Sequence, residues 1–355
     1  MIRFCLLMMV FISEVNAVEI NHVYHEPKMF EPDKDQSVQV HFTITEQAEI
    51  TLNIYDDRDI LIQQITKDAA AAGDQHILWD GKDKAGVIVP AEAYKYTLLA
   101  HGSQSEIIEY DVSDFTGGNN ISIKNIKWNS DDKQFEYTLK QPARVMIRVG
   151  LKEHGPLLAN IVNWLPRAHG QQLEKWNGKD ASNIIDLTNH PKLEIDIQAY
   201  TLSENTILVG PKPDKAKFIN STWEIQRRVK KQTKRKHMVS AQQQNPETRG
   251  DYLARLMLPE NLTRNKDDVS IVSGEIRVLL TVDDANRAVA LNRRAEPVFF
   301  VDGQYVFENE VGFLPMTWIL DTGRLNEGEH YLTANIRGYE GNFGLATTKI
   351  YVQKH

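Results

Sequence analysis

The chain has 355 residues, 41% of them hydrophobic and 25% charged, with a formal charge of −7. This length exceeds a typical single core and predicts two or three domains, and the composition is that of an ordinary soluble globular protein. The mildly acidic balance gives no reason to expect nucleic acid as a partner.

The first 17 residues read as an export signal. Arg3 supplies positive charge, Phe4 to Ile12 form a short apolar run, and Val15-Asn16-Ala17 fits a small-residue cleavage site. A buried first strand or helix is the alternative. The apolar run is too short to cross a bilayer as a helix, and no later stretch is long enough, so the mature chain is predicted to have no transmembrane segment.

The single cysteine, Cys5, lies inside this signal. The mature chain would therefore have no disulfide, thiolate metal site, cysteine nucleophile or attached haem. These observations predict an exported bacterial protein, periplasmic or extracellular, that binds no cofactor.

Residues 18–116 show the period-two alternation of half-buried strands, first at Val38 to Ile44 and then at Ile50 to Ile54. A short apolar strand is expected over Ile60 to Ile65. The alanines between Lys67 and Gly73 favour a brief helical or irregular connection. Short strands with turns about every ten residues predict an antiparallel sandwich.

One turn motif occurs twice, each time with a glycine six residues upstream. A large apolar ring directly before a tight Asp/Asn-Gly turn can pin a hairpin onto a core. We therefore predict that both tryptophans are buried and that the motif is structural, with ligand contact as the alternative. The motif residues are Gly73, Trp79, Asp80, Gly81 and Asp83 in the first copy, and Gly170, Trp176, Asn177, Gly178 and Asp180 in the second.

The order of elements repeats after Asn119 with a period of roughly 95 residues, the size of a whole domain. A second sandwich is predicted over residues 119–211. The turn-forming residues Thr116 to Asn120 are a plausible linker between the copies.

Residues from about Phe30 to Ala100 resemble the immunoglobulin-like (Ig-like) domain of the flagellar hook-capping protein family. The resemblance implies a β-sandwich, and it departs from the family at Glu92-Ala93, where a glycine is usual. The region with which that family reaches the hook has no counterpart in this sequence, so the resemblance implies no hook-capping role. The matching residues are Phe30-Glu31-Pro32, Ile50 to Asp56, Gly73, Trp79 to Asp83, Gly86, Val89-Pro90 and Tyr94.

Residues 212–255 form a basic connector. Ser221-Thr222-Trp223-Glu224 fits a capping box, which would start a helix running to about Gln243. The competing interpretations are a solvated linker, a docking surface for an acidic partner or anionic polymer, and a nucleic-acid or lipid-headgroup site. Export and the lack of interleaved aromatic residues argue against nucleic acid. The candidate partner-binding residues are Arg227, Arg228, Lys230, Lys231, Lys234, Arg235 and Lys236.

Residues 256–355 predict a third sandwich without the tryptophan turn. Alternation at Ile276 to Leu280, the Asp302-Gly303 hairpin and the late strand Ala346 to Val352 carry this prediction. The run Gly-Glu-His followed by Tyr-Leu-Thr is similar to a late hairpin of bacterial Ig-like domains. The predicted fold is thus all-β, with three tandem Ig-like sandwiches.

The sequence contains no phosphate-binding glycine loop, zinc-protease helix, nucleophile elbow or EF-hand loop, so we predict neither an enzyme nor a metal site. Three weaker alternatives stay open: a metal at His22 and His25, and calcium at either of two acidic clusters. The acidic clusters are Asp56, Asp57 and Asp59, and Glu308, Glu310 and Asp321.

The favoured functional hypothesis is a non-catalytic structural or adaptor protein of a cell-envelope or extracellular assembly, which binds protein partners through sandwich surfaces. The alternative is a carbohydrate-binding or other ligand-binding accessory protein that uses Trp128, Trp164 or Trp223.

Overall fold

The computed structural model describes residues 17–210 and 251–354, except 58, 104, 114–117, 293 and 339–341. Residues 1–16 of the predicted export signal, the basic run Arg227 to Lys236, and Trp223 lie outside the described residues. These predictions therefore stay predictions.

The described residues are almost entirely β-structure. One α-helix, α1, spans Asp284–Asn292, and 3-10 turns cover Pro32–Lys34 and Thr322–Arg324. The strands in chain order are β1 (Ile20–Glu26), β2 (Met29–Phe30), β3 (Val38–Ile44), β4 (Ala48–Tyr55), β5 (Leu61–Ala70), β6 (Gly73–Trp79), β7 (Glu92–His101), β8 (Ile107–Tyr110), β9 (Lys127–Asn129), β10 (Gln134–Leu139), β11 (Ala143–Leu151), β12 (Leu157–Arg167), β13 (Gly170–Lys175), β14 (Leu193–Thr201), β15 (Thr206–Val209), β16 (Ala254–Met257), β17 (Ser270–Val272), β18 (Glu275–Val282), β19 (Glu296–Val301), β20 (Gln304–Glu308), β21 (Met316–Asp321), β22 (Gly328–Arg337) and β23 (Phe343–Val352).

Sandwich 1 packs the sheet β1-β3-β6 against the sheet β2-β15-β7-β4-β5, with β8 added to β7. The alternation in β3 buries Val38, Val40, Phe42 and Ile44 in one core with residues of β4 and β7. The predicted inward face of this strand is therefore the face that the structure buries.

Strand β15 completes sandwich 1, although it follows sandwich 2 in the chain. It pairs antiparallel with β7 and parallel with β2, and Ile207 is fully buried in the core of sandwich 1. The sequence division places these residues at the end of the second sandwich. That division stays a prediction, and the structure adds that sandwich 2 is enclosed between two segments of sandwich 1.

The alanine-rich stretch after Lys67 continues β5 and is not helical. Ala70 lies opposite Ala48 of β4 and is buried, and Gly73 already begins β6. A short alanine run gains little from helix formation in isolation, because nucleation is unfavourable. Pairing with β4 and burial of Ala70 outweigh its helix propensity.

Sandwich 2 packs the sheet β13-β10-β9 against the sheet β12-β11-β14. Its core contains Phe135 and Tyr137 from β10, Val145 and Ile147 from β11, and Trp176. The described strands of this sandwich repeat the order and pairing of β3 to β7.

Sandwich 3 packs the sheet β16-β18-β21 against the sheet β17-β23-β22-β19-β20. Tyr252 belongs to its core, so its packing begins within the predicted connector. Helix α1, which joins β18 to β19, was not predicted. Ala290 of this helix is fully buried in the same core.

Candidate functional site

The two tryptophan turns have the same geometry. The indole Nε1 of Trp79 donates to the Lys82 carbonyl at 2.9 Å, and Nε1 of Trp176 donates to the Lys179 carbonyl at 2.9 Å. The rings are 0% and 4% exposed, so the predicted burial of both tryptophans is observed. Each indole thus satisfies its only polar group within its own turn.

Side-chain oxygens shape both turns in the same way. Asp80 Oδ1 accepts from the Lys82 backbone N–H at 3.1 Å, and Asn177 Oδ1 accepts from that of Lys179 at 2.9 Å. Burial raises the pKa of the Asp80 carboxyl, but hydrogen bonds from Lys82 outweigh this effect and hold the pKa below its usual value. An aspartate is thus compatible with the turn, and the neutral asparagine makes the equivalent bond.

The aspartate four residues after each tryptophan binds the backbone of the following loop. Asp83 Oδ1 accepts from the Ala85 and Val87 N–H groups, both at 2.9 Å. Asp180 Oδ1 accepts from the Ile184 and Ile185 N–H groups at 2.6 and 2.7 Å. Both carboxylates are occupied by the local backbone.

Glycine is required between these side chains. Gly81 has φ +75°, and a Cβ on it would lie 2.5 Å from Pro32 Cβ. Gly178 has φ +80°, and a Cβ on it would lie 2.2 Å from Thr188 Oγ1. Backbone conformation and close approach both favour glycine here.

Sandwich 2 contains a buried polar triad that sandwich 1 lacks. Arg167 donates to both oxygens of Glu174, from Nε at 2.6 Å and from an Nη atom at 3.0 Å, and the Tyr137 hydroxyl donates to Glu174 at 3.0 Å. Burial lowers the pKa of the Arg167 guanidinium, but the Glu174 charge outweighs this and raises it above its usual value. By strand register, the equivalent positions in sandwich 1 are Phe42, Ala70 and Ile77.

Sandwiches 1 and 2 meet at a buried ion pair. An Nη atom of Arg144, on β11, donates to Glu92 Oε1 on β7 at 2.6 Å and also lies 3.4 Å from the Trp164 carbonyl. The other Nη atom lies 3.9 Å from Asp57 Oδ2. A buried guanidinium held by two carboxylates fixes orientation as well as supplying attraction.

Sandwiches 2 and 3 meet at the outer edge of β12. The side-chain amide of Asn335 imitates a strand, because its Nδ2 donates to the Leu157 carbonyl at 2.7 Å and its Oδ1 accepts from the Leu157 N–H at 2.8 Å. The Thr347 N–H donates to Ser182 Oγ at 2.8 Å. This edge of sandwich 2 is therefore covered by sandwich 3.

Asp251 is the charged centre of the same interface. Asn160 Nδ2 donates to Asp251 Oδ2 at 2.8 Å, and Asn163 Nδ2 lies 3.4 Å from its Oδ1. Burial raises the pKa of the Asp251 carboxyl to about 6, against the opposing effects of the Asn160 amide, the Arg148 charge and the Phe343 backbone N–H. Arg337 and Asp196 are the other charged groups that act on Arg148.

We expect this contact to weaken as pH rises. The folded-state pKa of Asp251 exceeds its unfolded value of 3.8, so the folded state keeps the proton between about pH 4 and pH 6. Relative to Asp251→Asn, the free energy of unfolding of the wild-type chain should fall by about 1 to 3 kcal/mol from pH 4 to pH 7. The lower figure allows for partial exposure of the residue. Urea unfolding of both proteins across this range measures it, and a difference that rises with pH would contradict it.

Three carboxylates of the acidic clusters considered for calcium already bind other groups. Asp56 Oδ1 accepts from the Ile60 N–H at 2.8 Å, and Asp59 is paired with Lys95. Asp321 Oδ1 accepts from the Gly323 N–H at 2.9 Å. Within the part of the chain that the structure describes, no group of three or more His, Cys, Asp and Glu side chains could hold a metal ion.

The two N-terminal histidines lie in different environments. His25 is buried against Tyr96, with ring centroids 5.5 Å apart, whereas His22 is exposed. Burial, together with the Lys28 charge, lowers the pKa of His25 to about 3. The buried ring is therefore neutral at physiological pH and belongs to the core of sandwich 1.

The tryptophans considered for carbohydrate are engaged in internal packing where the structure describes them. Trp128 lies against Phe135 and Trp176, at 4.8 Å from each ring centroid, and its Nε1 donates to the Thr188 carbonyl at 3.0 Å. Trp164 packs on Tyr200 at 5.4 Å. Both side chains are half-buried, and the ring contacts commit part of each indole to packing.

Exposed apolar side chains concentrate in one short stretch. Of the 16 large hydrophobic side chains that are exposed in the described residues, five lie between positions 305 and 319. These residues surround β20 and β21, which are edge strands of the two sheets of sandwich 3. Apolar side chains exposed at sheet edges are typical of an interaction surface. We call this surface the β20 edge, and it consists of Tyr305, Val306, Val311, Phe313 and Ile319.

Sequence reasoning missed the residues that join the sandwiches, namely Arg144, Asp251 and Asn335. Each is an isolated polar residue without a motif, and its role depends on contacts between separately folded sheets. The β20 edge could have been found from the sequence, because residues 305–319 are rich in apolar side chains and contain no lysine or arginine. No helix in the described residues is long and apolar enough to cross a membrane.

Comparisons with known proteins give one local family match and several weak structural likenesses. A comparison with curated proteins finds no match. Among solved structures, FlgD from P. aeruginosa is 20% identical, covering 26% of this chain and 67% of that chain, with a TM-score of 0.22. Fibronectin(III)-like modules of Clostridium thermocellum CbhA are 15% identical, covering 28% of this chain and 95% of that chain, with a TM-score of 0.20. A tetra-tandem repeat from the extending region of a large adhesion protein is 12% identical, covering 95% and 74%, with a TM-score of 0.22.

At these identities and TM-scores the likenesses support no inference about function. The match to a protein family is local, since the model described as "FlgD Ig-like domain" covers residues 28–104. This range contains the first tryptophan turn and strands β2 to β7 of sandwich 1. The predicted resemblance is thereby confirmed: residues 28–104 match the FlgD Ig-like domain family, within a longer chain of Ig-like sandwiches.

Proposed function

We propose that this chain is a non-catalytic, exported structural or adaptor protein of a bacterial cell-envelope or extracellular assembly. It acts by presenting the surfaces of three linked Ig-like sandwiches to protein partners. The observation that carries the proposal is that polar contacts join the sandwiches to one another, while apolar side chains stay exposed at sheet edges.

Polar and charged groups are used inward, to join one sandwich to the next. Arg144 with Glu92 links sandwiches 1 and 2, and Asn335 with Leu157 links sandwiches 2 and 3. Apolar groups are instead exposed at sheet edges, as at Ile107 on β8 and Tyr305 on β20. A chain whose modules are fixed to one another while apolar edges stay exposed is suited to bind further polypeptides.

The surroundings of the predicted cleavage site support export. Val18, the first residue after Ala17, is 1% exposed in the core of sandwich 1, and its backbone nitrogen lies 3.4 Å from Glu106 Oε1. Cleavage after Ala17 would make that nitrogen an ammonium group beside a carboxylate. Removal of the signal would thus add a favourable charge pair at the start of the folded domain.

Localisation and partner capture in the source bacterium test this proposal. We expect an affinity-tagged full-length chain to be recovered in the envelope or culture supernatant, with an N-terminus at Val18. After cross-linking in intact cells, the same envelope or secreted protein should co-purify in repeated experiments. An unrelated exported protein with the same tag is the control. A tagged chain that stays in the cytoplasm, or an exported one that is always recovered alone, would refute the proposal.

A further inference from the structure

We infer that the β20 edge is a docking surface for an extended peptide strand of another protein, one that carries apolar residues in alternation and lysine or arginine at its ends. This inference deepens the proposed function and rests on it, because it names which surface binds and what chemistry the partner has.

The first support is an unpaired strand. β20 pairs with β19 on one side, and no strand in the described residues pairs with its other side. Its outer backbone N–H and C=O groups are therefore available to a further strand, which is the geometry of β-strand addition. The equivalent edge of sandwich 2, on β12, is closed by Asn335.

The second support is the side chains on this edge. Tyr305 and Val306 are 55% and 44% exposed, and Val311 and Phe313, just after β20, are 68% and 66% exposed. Free edge strands are ordinarily protected by short length, bulges, charged side chains or proline. β20 has no lysine or proline, and its protection consists of its five-residue length, a bulge opposite β19 and Glu308 at its end. Apolar side chains beside an open ladder supply the packing that a bound strand needs.

The third support is charge, which selects the kind of partner. Between Ala295 and Gly323 there is no lysine or arginine. Asp302 is held by His330, and Asp321 is paired with Arg324. The exposed carboxylates nearest to the strand are Glu308 at its end and Glu310 in the following turn. A second copy would bring no lysine or arginine from this stretch to these carboxylates, whereas a basic strand would neutralise them.

The test measures binding of a synthetic probe. The probe is a short fluorescein-labelled peptide in which Thr and Val alternate between paired terminal lysines. We expect it to bind the full-length chain with an affinity that falls as salt rises, and to increase amide protection of β20 in hydrogen exchange. A matched peptide with terminal glutamates should bind about tenfold more weakly.

Two lysine substitutions at exposed edge positions locate the site. Val306→Lys should weaken probe binding about tenfold or more, because it places a charge on the apolar strand and repels the lysines of the probe. Ile107→Lys, on the exposed β8 edge of sandwich 1, is the matched control and should change the affinity less than about twofold. Glu308→Gln with Glu310→Gln should weaken binding and reduce its dependence on salt.

Each contrary result has a definite meaning. Loss of binding in Ile107→Lys but not in Val306→Lys would move the surface to β8 and overturn the inference. Self-association of the chain through β20, detected by concentration-dependent sedimentation, would show that the partner is a second copy and would overturn the inference of a basic strand. If Val306→Lys keeps its cross-linked partner in cells while the wild type does not bind the probe, the inference is wrong and the proposed function stands. If the probe binds but the chain is never exported, the inference about the β20 edge stands and the proposed function is refuted.

Discussion

Replacing Glu174 by isoleucine alone should lower the free energy of unfolding of sandwich 2 by about 3–5 kcal/mol. The change removes both carboxylate acceptors of Arg167 and the acceptor of the Tyr137 hydroxyl, and leaves the guanidinium only the Pro166 carbonyl. A buried charge that loses its partner keeps its desolvation cost, and nothing offsets it. Urea unfolding, with hydrogen exchange to assign the loss to β10 and β13, measures the effect.

The same structure predicts how the loss is recovered. Sandwich 1 has Phe42, Ala70 and Ile77 at the equivalent positions, all buried and all apolar. The triple variant Tyr137→Phe, Arg167→Ala, Glu174→Ile places the apolar residues of sandwich 1 at the equivalent positions of sandwich 2. Its stability should return to within about 1 kcal/mol of the wild type or exceed it, because an apolar replacement avoids the desolvation of two charges. A triple variant as unstable as the single one would show that the two cores are packed differently.

Ile207→Asp should abolish cooperative folding of sandwich 1, at a cost of more than about 4 kcal/mol, although the residue follows the whole of sandwich 2 in the chain. Ile207 is fully buried in the core of sandwich 1. A carboxylate at this position would have no partner in that core. Strand β15 would detach from β7 and leave Phe30 and Tyr94 without their strand partners.

Limited proteolysis combined with hydrogen exchange distinguishes the affected sandwich. Protection should be lost in β4 and β7 and retained in β10 and β11. Glu204→Ala, at an exposed position three residues upstream, is the control and should change stability by less than about 0.5 kcal/mol. Loss of protection in sandwich 2 with sandwich 1 unchanged would contradict the assignment of β15.

The strands and turns could be predicted because their signals are local. Period-two alternation fixes which face of β3 is buried, and the Asp/Asn-Gly dipeptides fix the two tryptophan turns without knowledge of any other segment. The repeat of Trp79 at Trp176 then shows the duplication. Among the described residues, local signals were misleading at Ala69 to Ala72, where pairing with β4 outweighs helix propensity, and they gave no indication of α1.

The partners of the strands could not be predicted in the same way. The sequence of β15 indicates a buried strand, but no local pattern says that it pairs with β7 rather than with its neighbours in the chain. The triad of Tyr137, Arg167 and Glu174 could not be predicted either, because these residues come together only through the strand registers of two sheets. Interfaces between sandwiches depend on single residues such as Asn335, whose surroundings are set by folded surfaces.

The return of β15 also determines how the chain carries mechanical tension. A pull applied between residue 18 and residue 210 acts on sandwich 1 alone, because both points belong to it and β15 is held there by β2 and β7. Sandwich 2 lies on a closed side branch of the polypeptide and is not stretched until β15 is torn out. Under load, sandwich 2 would therefore start to extend only after β15 has separated from β2 and β7.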